Sequence, residues 1–403
     1  MSNTSTSSVR ATNKLIPELR FPEFVNDREW KIKSINDLCN ILNNLRKPIS
    51  GSDRKKGDYP YYGASGIIDY VDEYIFDERL LLVGEDGAKW NAFENTAFLV
   101  EEKYWVNNHA HVLKPIKIND KLLESYLVKL DLQPYITGAA PPKLTLGKLK
   151  DIPIPVPENP LEQQKIASCL SSLDEVITAY SQKFDTLKSL KKGLMQNLFP
   201  QDGETVPKYR FPEFLKDGDW VEKVLSEVAD YENGKAHEKD IDEGGDFVVV
   251  NSKFISTEGQ TVKYSNSAIC LAKNGDILMV LSDLPNGKAI AKCFYVKEDD
   301  RYTVNQRICK ITPFDCENVF LFYIMNRNSY FLGFDDGVKQ TNLRNQDVQN
   351  FPFLLPDNPK EQQKIASCLA SLDSLISEQG EKIEQLKLHK KGLMQGLFPK
   401  IID

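Results

Sequence analysis

Two stretches of the chain carry apolar residues at alternating spacings of four and three positions, among mostly polar neighbours. The apolar positions are Ile166, Leu170, Leu173, Ile177, Phe184 and Leu187 in the first stretch and Ile365, Leu369, Leu372, Ile376, Ile383 and Leu386 in the second. This heptad spacing predicts two long helices, each with one apolar seam. Because their other faces are polar, we expect each helix to pair through its seam and not to lie in a core.

The two stretches belong to an internal repeat. Residues 157–200 and 356–399 are identical at 28 of 44 positions without a gap. In each copy an asparagine, Asn159 or Asn358, precedes a proline, and Glu162 or Glu361 follows three positions after the asparagine. This order predicts an N-cap, a proline at the first helical position and a capping box completed by the glutamate. About 38 residues at 1.5 Å each make a helix of roughly 57 Å.

A shorter match, which we call the RFPEF box, occurs as PELRFPEF at 17–24 and PKYRFPEF at 207–214, and a tryptophan, Trp30 or Trp220, follows each copy. The chain therefore consists of a short box, a variable region and a long repeat, twice over. We predict a disordered tail at 1–16, which is rich in Ser, Thr and Asn. The other predicted segments are a first domain at 17–156, a spacer helix at 157–200, a linker at 201–206, a second domain at 207–355 and a second spacer helix at 356–399.

Chain connectivity predicts how the two helices pair. The first helix carries the chain from the first domain to the second, and the second helix runs back if the seams pair along their length. The expected fold is therefore α+β, with two α/β domains separated by an antiparallel coiled coil in a pseudo-twofold, circular arrangement. The C-terminus should then lie near residues 17–24, as residue 200 lies near 207–214. The alternative is two independent coiled-coil segments that recruit other proteins.

Composition and charge restrict the compartment and the partners. Seven cysteines without paired spacing indicate a reduced, cytoplasmic protein. No apolar run approaches the roughly 20 residues of a membrane-spanning helix. The net charge is -7, residues 1–156 are neutral and residues 207–355 carry -5 from 23 acids and 18 bases. If the protein binds nucleic acid, its own contacts with the phosphates are therefore local, and partner proteins supply much of the electrostatic attraction.

The sequence lacks the motifs of DNA-modifying enzymes. A methyltransferase of this class needs a Gly-rich cofactor loop and an Asn-Pro-Pro-aromatic stretch, and an ATPase needs a P-loop; neither occurs. Asp357, Glu361 and Lys364 resemble a metal-dependent nuclease site, but they lie at a helix start, where acids are favoured. We expect no catalysis and no cofactor in this chain alone. A stand-alone DNA enzyme with unrecognised chemistry remains an alternative.

This layout resembles the specificity subunit of type I restriction–modification systems. The resemblance covers nearly the whole chain after residue 16 and rests on the EQQKIASCL and KKGLMQ helices, the RFPEF boxes and the strand and loop at Tyr61–Gly66. It implies two target-recognition domains that each read half of a split double-stranded DNA site, with the helices as a ruler. It also implies two methyltransferase subunits, to which two restriction subunits can attach. Adenine N6 methylation with S-adenosylmethionine, and cleavage with ATP and Mg²⁺, belong to those partners.

The repeat pattern also predicts the form of the target. Two readers related by a twofold should meet a duplex about one helical turn apart, roughly 10 base pairs. Because the two variable regions differ in sequence, the bipartite target should be asymmetric. The competing function is a coiled-coil adaptor whose end domains bind proteins.

Two aligned pairs of stretches supply the first candidate DNA-reading residues. The stretches that lead into the long helices contribute Lys143, Lys339, Gln340, Asn342 and Arg344. The stretches at 106–115 and 304–313 contribute Asn107, Asn108, His109, His111, Asn305, Gln306 and Arg307. Strand alternation places Asn107, His109 and His111 on one face. Arg and Lys suit guanine edges, Asn and Gln suit adenine, and all can hold phosphate.

Polar loops that follow two apolar strands, Leu80–Val83 and Ile277–Leu281, supply a third set. Its members are Lys89, Asn91, Ser282, Asn286 and Lys288. For this third set the alternative is an ordinary Gly-containing hairpin turn, and for the stretches that lead into the long helices it is a solvated loop. A zinc site at His109 and His111 is not expected, because no third ligand has suitable spacing.

Overall fold

A computed structural model describes residues 15–237, 239–284 and 287–401 of the chain. Most of the predicted tail and the candidate Asn286 lie outside this range. The chain divides into two compact units. Unit 1 comprises Met1–Gln182 and Gln379–Asp403, and unit 2 comprises Lys183–Glu378. No helix among the described residues is long and apolar enough to cross a bilayer.

The described residues 15–200 form ten strands and four α-helices. They are β1 (Lys31–Ser34), α1 (Ile35–Leu38), β2 (Cys39–Ile41), β3 (Lys56–Gly63), β4 (Gly66–Val71), β5 (Phe76–Asp77), β6 (Leu80–Gly84), β7 (Ala97–Val100), β8 (Lys103–Val106), β9 (Ala110–Pro115), α2 (Asp120–Lys129), α3 (Leu146–Lys150), β10 (Pro153–Val156) and α4 (Pro160–Asn197).

The second half adds β11 (Val221–Val224), β12 (Ala229–Asn233), β13 (Phe247–Val250), α5 (Ser252–Ser256), β14 (Tyr264–Ser265), β15 (Leu271–Ala272), β16 (Ile277–Val280), β17 (Ser282–Asp283), β18 (Cys293–Tyr295), β19 (Tyr302–Val304), β20 (Ile308–Pro313), α6 (Asn318–Met325), α7 (Ser329–Leu332), β21 (Thr341–Asn342), α8 (Asn345–Gln349), β22 (Pro352–Leu355) and α9 (Pro359–Leu397).

Both units contain the same pair of four-stranded sheets. In unit 1 the strand orders are β2-β9-β6-β7 and β4-β3-β8-β5, and in unit 2 they are β12-β20-β16-β18 and β14-β13-β19-β15. Strands β3 and β8 pair in parallel, as do β13 and β19, whereas the other pairs within these sheets are antiparallel. The mixture of helices and sheets in two similar units confirms the α+β class.

The central strand β6 is apolar throughout because both of its faces are buried. Leu81 and Val83 belong to a core shared with the helices, whereas Leu80 and Leu82 belong to a second core between the two sheets. Side chains alternate along a strand, so a strand between two cores needs apolar residues at every position. In unit 2, β16 has the same alternation between two cores, with Ile277 and Met279 in one and Leu278 and Val280 in the other.

Both predicted long helices are present, and all twelve predicted seam residues are buried or half-buried. Ile166 and Leu170 are part of the core of unit 1 that includes Trp30. Ile365 and Leu369 take the same place in unit 2. The first residues of each seam therefore pack into the globular core of a unit as well as forming the apolar face of the helix. The heptad spacing alone did not indicate this packing.

Within unit 1 the segments of α4 and α9 run antiparallel. Gln379 donates its amide to the carbonyl oxygen of Tyr180 at 3.0 Å, and Lys390 contacts Asp174. From Gln379 to Lys390 the residue number rises along α9, whereas from Tyr180 to Asp174 it falls along α4. The two helix segments therefore run in opposite directions. In unit 2 the repeat-equivalent ion pair joins Lys191 and Asp373 at 2.5 Å.

The chain after α9 returns to the first RFPEF box, as connectivity predicted. Leu19 donates its backbone N–H to Gly396 O at 2.8 Å, and Lys400 pairs with Glu18 at 2.6 Å. In unit 2, Tyr209 donates the corresponding backbone N–H to the carbonyl oxygen of Asn197, the last residue of α4. Each unit thus packs an RFPEF box against the end of a long helix.

The helix starts confirm the asparagine caps but not the capping boxes. Asn159 Oδ1 accepts the N–H of Leu161 at 3.0 Å, and Asn358 makes the equivalent bond. The glutamates do not turn back to the caps. Instead, Glu162 accepts two hydrogen bonds from the Arg20 guanidinium at 2.7 and 2.8 Å. The capping-box prediction was wrong because the arginine of the RFPEF box takes the carboxylate.

This buried ion pair recurs in unit 2, where Arg210 contacts both carboxylate oxygens of Glu361 at 2.8 Å. In both pairs the arginine side chain is 6% exposed and the glutamate side chain is 1% exposed. Glu162 also accepts the Trp30 indole N–H at 3.2 Å. Burying charges in this way is tolerable only with full pairing, so each pair fixes its box against the first turn of a long helix.

Replacing Glu162 by alanine should lower the free energy of unfolding by about 3–5 kcal/mol, because Arg20 would remain buried without its counter-charge and would keep only its hydrogen bonds to the carbonyl oxygens of Asp27 and Arg28. Denaturant titration of the purified chain measures the loss. Lys31→Ala is the control: it removes an exposed pair with Glu158, and because solvent screens this pair the free energy of unfolding should stay nearly unchanged. Similar small losses for both variants would contradict this account.

Candidate nucleic-acid interface

The three predicted candidate stretches meet at one place in each unit. In unit 1, Glu85 donates its N–H to the carbonyl oxygen of His109 and accepts the N–H of Leu144, both at 2.8 Å. In unit 2, Leu281 makes the equivalent bonds with Arg307 at 2.9 Å and Leu343 at 2.8 Å. We call the result the three-loop surface: residues 84–91, 107–109 and 137–145 in unit 1, and described residues within 281–288, 305–307 and 337–344 in unit 2.

In unit 1 a single carboxylate organises the three-loop surface. Asp86, 9% exposed, pairs through Oδ2 with Lys143 Nζ at 2.8 Å and through Oδ1 with His109 Nδ1. Partial burial acts to raise the pKa of Asp86, but the hydrogen bonds from Lys143 and His109 outweigh it and lower that pKa. The hydrogen bond between Lys143 and Asp86 raises the pKa of Lys143. Both groups are therefore charged near neutral pH.

Sequence reasoning missed Asp86 because it considered only hydrogen-bond donors and amides as DNA readers. The available signal was its place directly after the buried strand β6, in the turn that also contains Gly87, which has a φ of 70°. Arg46 was also missed. It donates to Glu85 Oε2 and to Ala110 O, both at 2.7 Å, and so supports the backbone under the surface.

Next to Asp86 lies a pocket of about 360 Å³. Its lining includes Ala64, Ile68, Asp86, Asn107 and His109. Asn107 is only 3% exposed and accepts the backbone N–H of His109 through Oδ1 at 2.8 Å. The pocket combines an apolar wall with several polar groups, a typical make-up for a recognition site.

Unit 2 presents different side chains on the same backbone. Ser282 pairs with Asn342 across β17 and β21, where unit 1 has Asp86 opposite Lys143. Gln340 donates its amide to Ser282 Oγ at 2.7 Å and to Asn342 Oδ1 at 3.2 Å. The surface of unit 2 is therefore built from amides and a hydroxyl at the positions where unit 1 has an ion pair.

The remaining candidates of unit 2 are mostly exposed. Lys288, Gln306, Arg307, Lys339 and Arg344 have exposed side chains, whereas Asn305 is half-buried. Arg344 pairs with Asp347 at 3.2 Å, although its side chain is 81% exposed. All of them except Asn305 are therefore open to solvent.

His111 is a correction to the predicted set. It is fully buried, with Nε2 2.7 Å from Leu144 O and Nδ1 2.8 Å from Asn43 Nδ2, so it cannot reach DNA. Strand alternation does not hold at these positions, because residues 107–109 form a turn between β8 and β9, which belong to different sheets. For the same reason Asn107 is buried while His109 is exposed.

Three further candidates of unit 1 lie on the surface but outside the Asp86 cluster. Asn108, Lys89 and Asn91 are exposed. Lys89 Nζ lies 3.9 Å from Glu94, and the chain at Trp90 turns away to accept a hydrogen bond from Leu132 N. In the part of the chain that the structure describes, no side-chain hydrogen bond joins Lys89 or Asn91 to Asp86.

Comparison with protein families gives one match that covers most of the chain. A family model described as the type I restriction modification DNA specificity domain matches residues 27–189 and 217–388. A putative type I restriction enzyme specificity subunit of Haemophilus influenzae is 38% identical over 149 residues, 36% of this chain and 38% of that protein. The MjaVIII specificity subunit of Methanocaldococcus jannaschii is 27% identical, with 94% of this chain and 93% of that protein covered.

Solved structures show the same fold at low sequence identity. The crystal structure of a type I restriction–modification S subunit from M. genitalium has a TM-score of 0.68 and 15% identity, over 96% of this chain and all of that one. A chain from a type I system solved to explain complex assembly and conformational transition has a TM-score of 0.52 and 15% identity, over 93% of this chain and 98% of that one.

The buried His111 predicts a pH dependence of stability. Burial is the main cause that lowers its pKa in the folded protein, whereas an unfolded histidine takes up a proton near pH 6.5. The free energy of unfolding should therefore fall below about pH 6.5, by up to about 1.4 kcal/mol per pH unit from this group.

Urea unfolding at pH 7.5 and 5.5 measures this effect in the native chain and in His111→Gln, whose amide can keep both hydrogen bonds. The variant should lose less stability between the two pH values than the native chain does. Equal losses would show that His111 protonates alike in the folded and unfolded states.

Proposed function

Because the chain belongs to the family of type I restriction modification DNA specificity domains, we propose that it is the DNA-recognition subunit of a type I restriction–modification complex. It binds an asymmetric, bipartite double-stranded target. Each unit reads one half of that target through its three-loop surface. The chain itself performs no catalysis.

One observation carries this proposal: the two units share a backbone but differ in side chains at the three-loop surface. Unit 1 presents Lys143 and His109 around Asp86, and unit 2 presents Arg307 with the Ser282–Gln340 pair. Hydrogen-bonding groups on base edges are read by such side chains, so different sets select different bases. A symmetric target would not need this difference.

The long helices are the spacer of the proposed function. The repeat-equivalent ion pairs Asp174–Lys390 and Lys191–Asp373 support an antiparallel coiled coil of α4 and α9. The return of the chain end to the first RFPEF box supports a circular arrangement. In this proposal the length of the coiled coil sets the distance between the two half-sites.

The proposed partners supply both chemistry and electrostatic attraction. With a net charge of -7, the chain has little general attraction for phosphates. Two methyltransferase subunits would add it and would methylate adenine N6 with S-adenosylmethionine. Two restriction subunits, when present, would use ATP and Mg²⁺. Seven free cysteines suit the reducing cytoplasm that this assembly requires.

Arg307→Ala should weaken specific binding to the target by about 5- to 150-fold, since a good base contact contributes about 1–3 kcal/mol. The measurement is a gel-shift titration of the chain with its methyltransferase. Arg301→Ala is the matched control. Arg301 directly precedes β19, at the end of that strand opposite to Arg307, and pairs with Glu298. Binding of the target by this variant should equal that of the native chain. Absence of sequence-specific binding in the native complex would favour the coiled-coil adaptor instead.

Inserting one heptad after Phe184 and another after Ile383, equivalent positions of the two helices, should lengthen the spacer by about 10 Å, roughly three base pairs. Methylome mapping in cells reads the new spacing. A heptad inserted in only one helix misaligns the seams and should abolish modification. An unchanged spacer with both insertions would exclude the ruler.

A further inference from the structure

The pocket beside Asp86 contains a polar group whose hydrogen-bonding capacity is not used within the chain. Asn107 lines this pocket and is 3% exposed. Its Oδ1 accepts the His109 N–H, but the described residues provide no hydrogen-bond partner for Nδ2. Nδ2 is not one of the fully enclosed side-chain atoms without a partner, so it is accessible from the pocket and can donate to a ligand or water. The pocket therefore holds a hydrogen-bond donor that the described residues do not use.

The side-chain oxygens of Asp86 and Asn107 in the pocket, in contrast, are already engaged. Asp86 uses one oxygen for His109 and the other for Lys143. Lys143 has three N–H donors, and its side chain is 42% exposed, so donors remain beyond the one held by Asp86. The hydrogen-bonding groups that remain available on Asn107 and Lys143 are therefore N–H donors.

We propose that this pocket of unit 1 reads the major-groove edge of a guanine in the half-site that unit 1 recognises. The inference rests on the proposed function and names the base class for one half of the target. Guanine presents two acceptors, N7 and O6, whereas adenine presents N7 beside an N6 amino donor. Donors from Asn107 and Lys143 complement the first pattern and oppose the second.

Asp86 is a positioning residue in this scheme. It holds the Lys143 ammonium and the His109 ring in place but donates nothing itself. Unit 2 has Ser282 at the equivalent position and amides at Gln340 and Asn342, which offer both donors and acceptors. The guanine preference therefore applies to the half-site of unit 1 alone.

The test uses the full chain with its methyltransferase. Methylome mapping gives the target, and exchange of residues 207–355 for another second domain shows which half belongs to unit 1, since that half stays unchanged. In that half, 7-deazaguanine, which lacks the N7 acceptor, should weaken binding by about 5- to 150-fold. The same replacement in the other half-site is the DNA control and should not depend on Asn107.

Asn107→Ala should weaken binding to the normal duplex by a similar factor, and this variant should no longer distinguish 7-deazaguanine from guanine. Asn95→Ala, exposed and outside the pocket, is the protein control and should bind as the native chain does. Because Asn107 is buried, thermal melting of each variant verifies its fold. Should Asn107→Ala melt early, the 7-deazaguanine duplex with the native chain still decides the question.

Asp86→Ala separates positioning from a purely structural role. The discrimination between guanine and adenine should fall, while binding to unrelated DNA should tighten and depend more steeply on salt, because a negative charge is lost and Lys143 is released. A purely structural role would weaken binding to both DNAs. Specific binding that does not respond to 7-deazaguanine, or a unit 1 half-site without guanine, would overturn the inference and leave the proposed function intact. Absence of specific binding to any duplex would instead overturn the proposed function.

Discussion

The buried arginine–glutamate pair at the start of each long helix is the contact on which the architecture of each unit depends. Arg20 with Glu162, and Arg210 with Glu361, lie almost entirely out of solvent. A displacement of the helix by one turn, about 5.4 Å, would leave two buried charges unpaired. The pair therefore fixes the box, and with it the globular core, at one position along the rigid helix.

That fixed position allows the three-loop surface to vary. Its parts are joined by main-chain hydrogen bonds through Glu85 in unit 1 and Leu281 in unit 2, which do not depend on side-chain identity. An Asp86–Lys143 ion pair and a Ser282–Gln340 hydrogen bond can therefore occupy the same place. A stable backbone with exchangeable side chains is the arrangement that a family of DNA readers with different targets requires.

The candidate site could be predicted by region but not by residue. The three aligned stretches were identified, yet their meeting at one surface depends on bonds between residues far apart in sequence, such as Leu144 and Glu85. The pattern could not separate exposed His109 from buried His111, because the turn between β8 and β9 transfers the chain from one sheet to another. Asp86 escaped notice because its role depends on Lys143 and His109, which the fold brings to it from other segments.

The sequence by itself determined the duplicated organisation, the two long helices, their asparagine caps and the return of the chain end to the first box. These follow from periodicity, repetition and connectivity, which are local or topological properties of a chain. The tertiary structure alone decided that Glu162 bonds Arg20 and not its own cap, and that Asn107 lies in a pocket while its neighbour Asn108 is exposed. Both outcomes depend on which groups arrive from distant segments, and that competition for partners is not encoded in spacing.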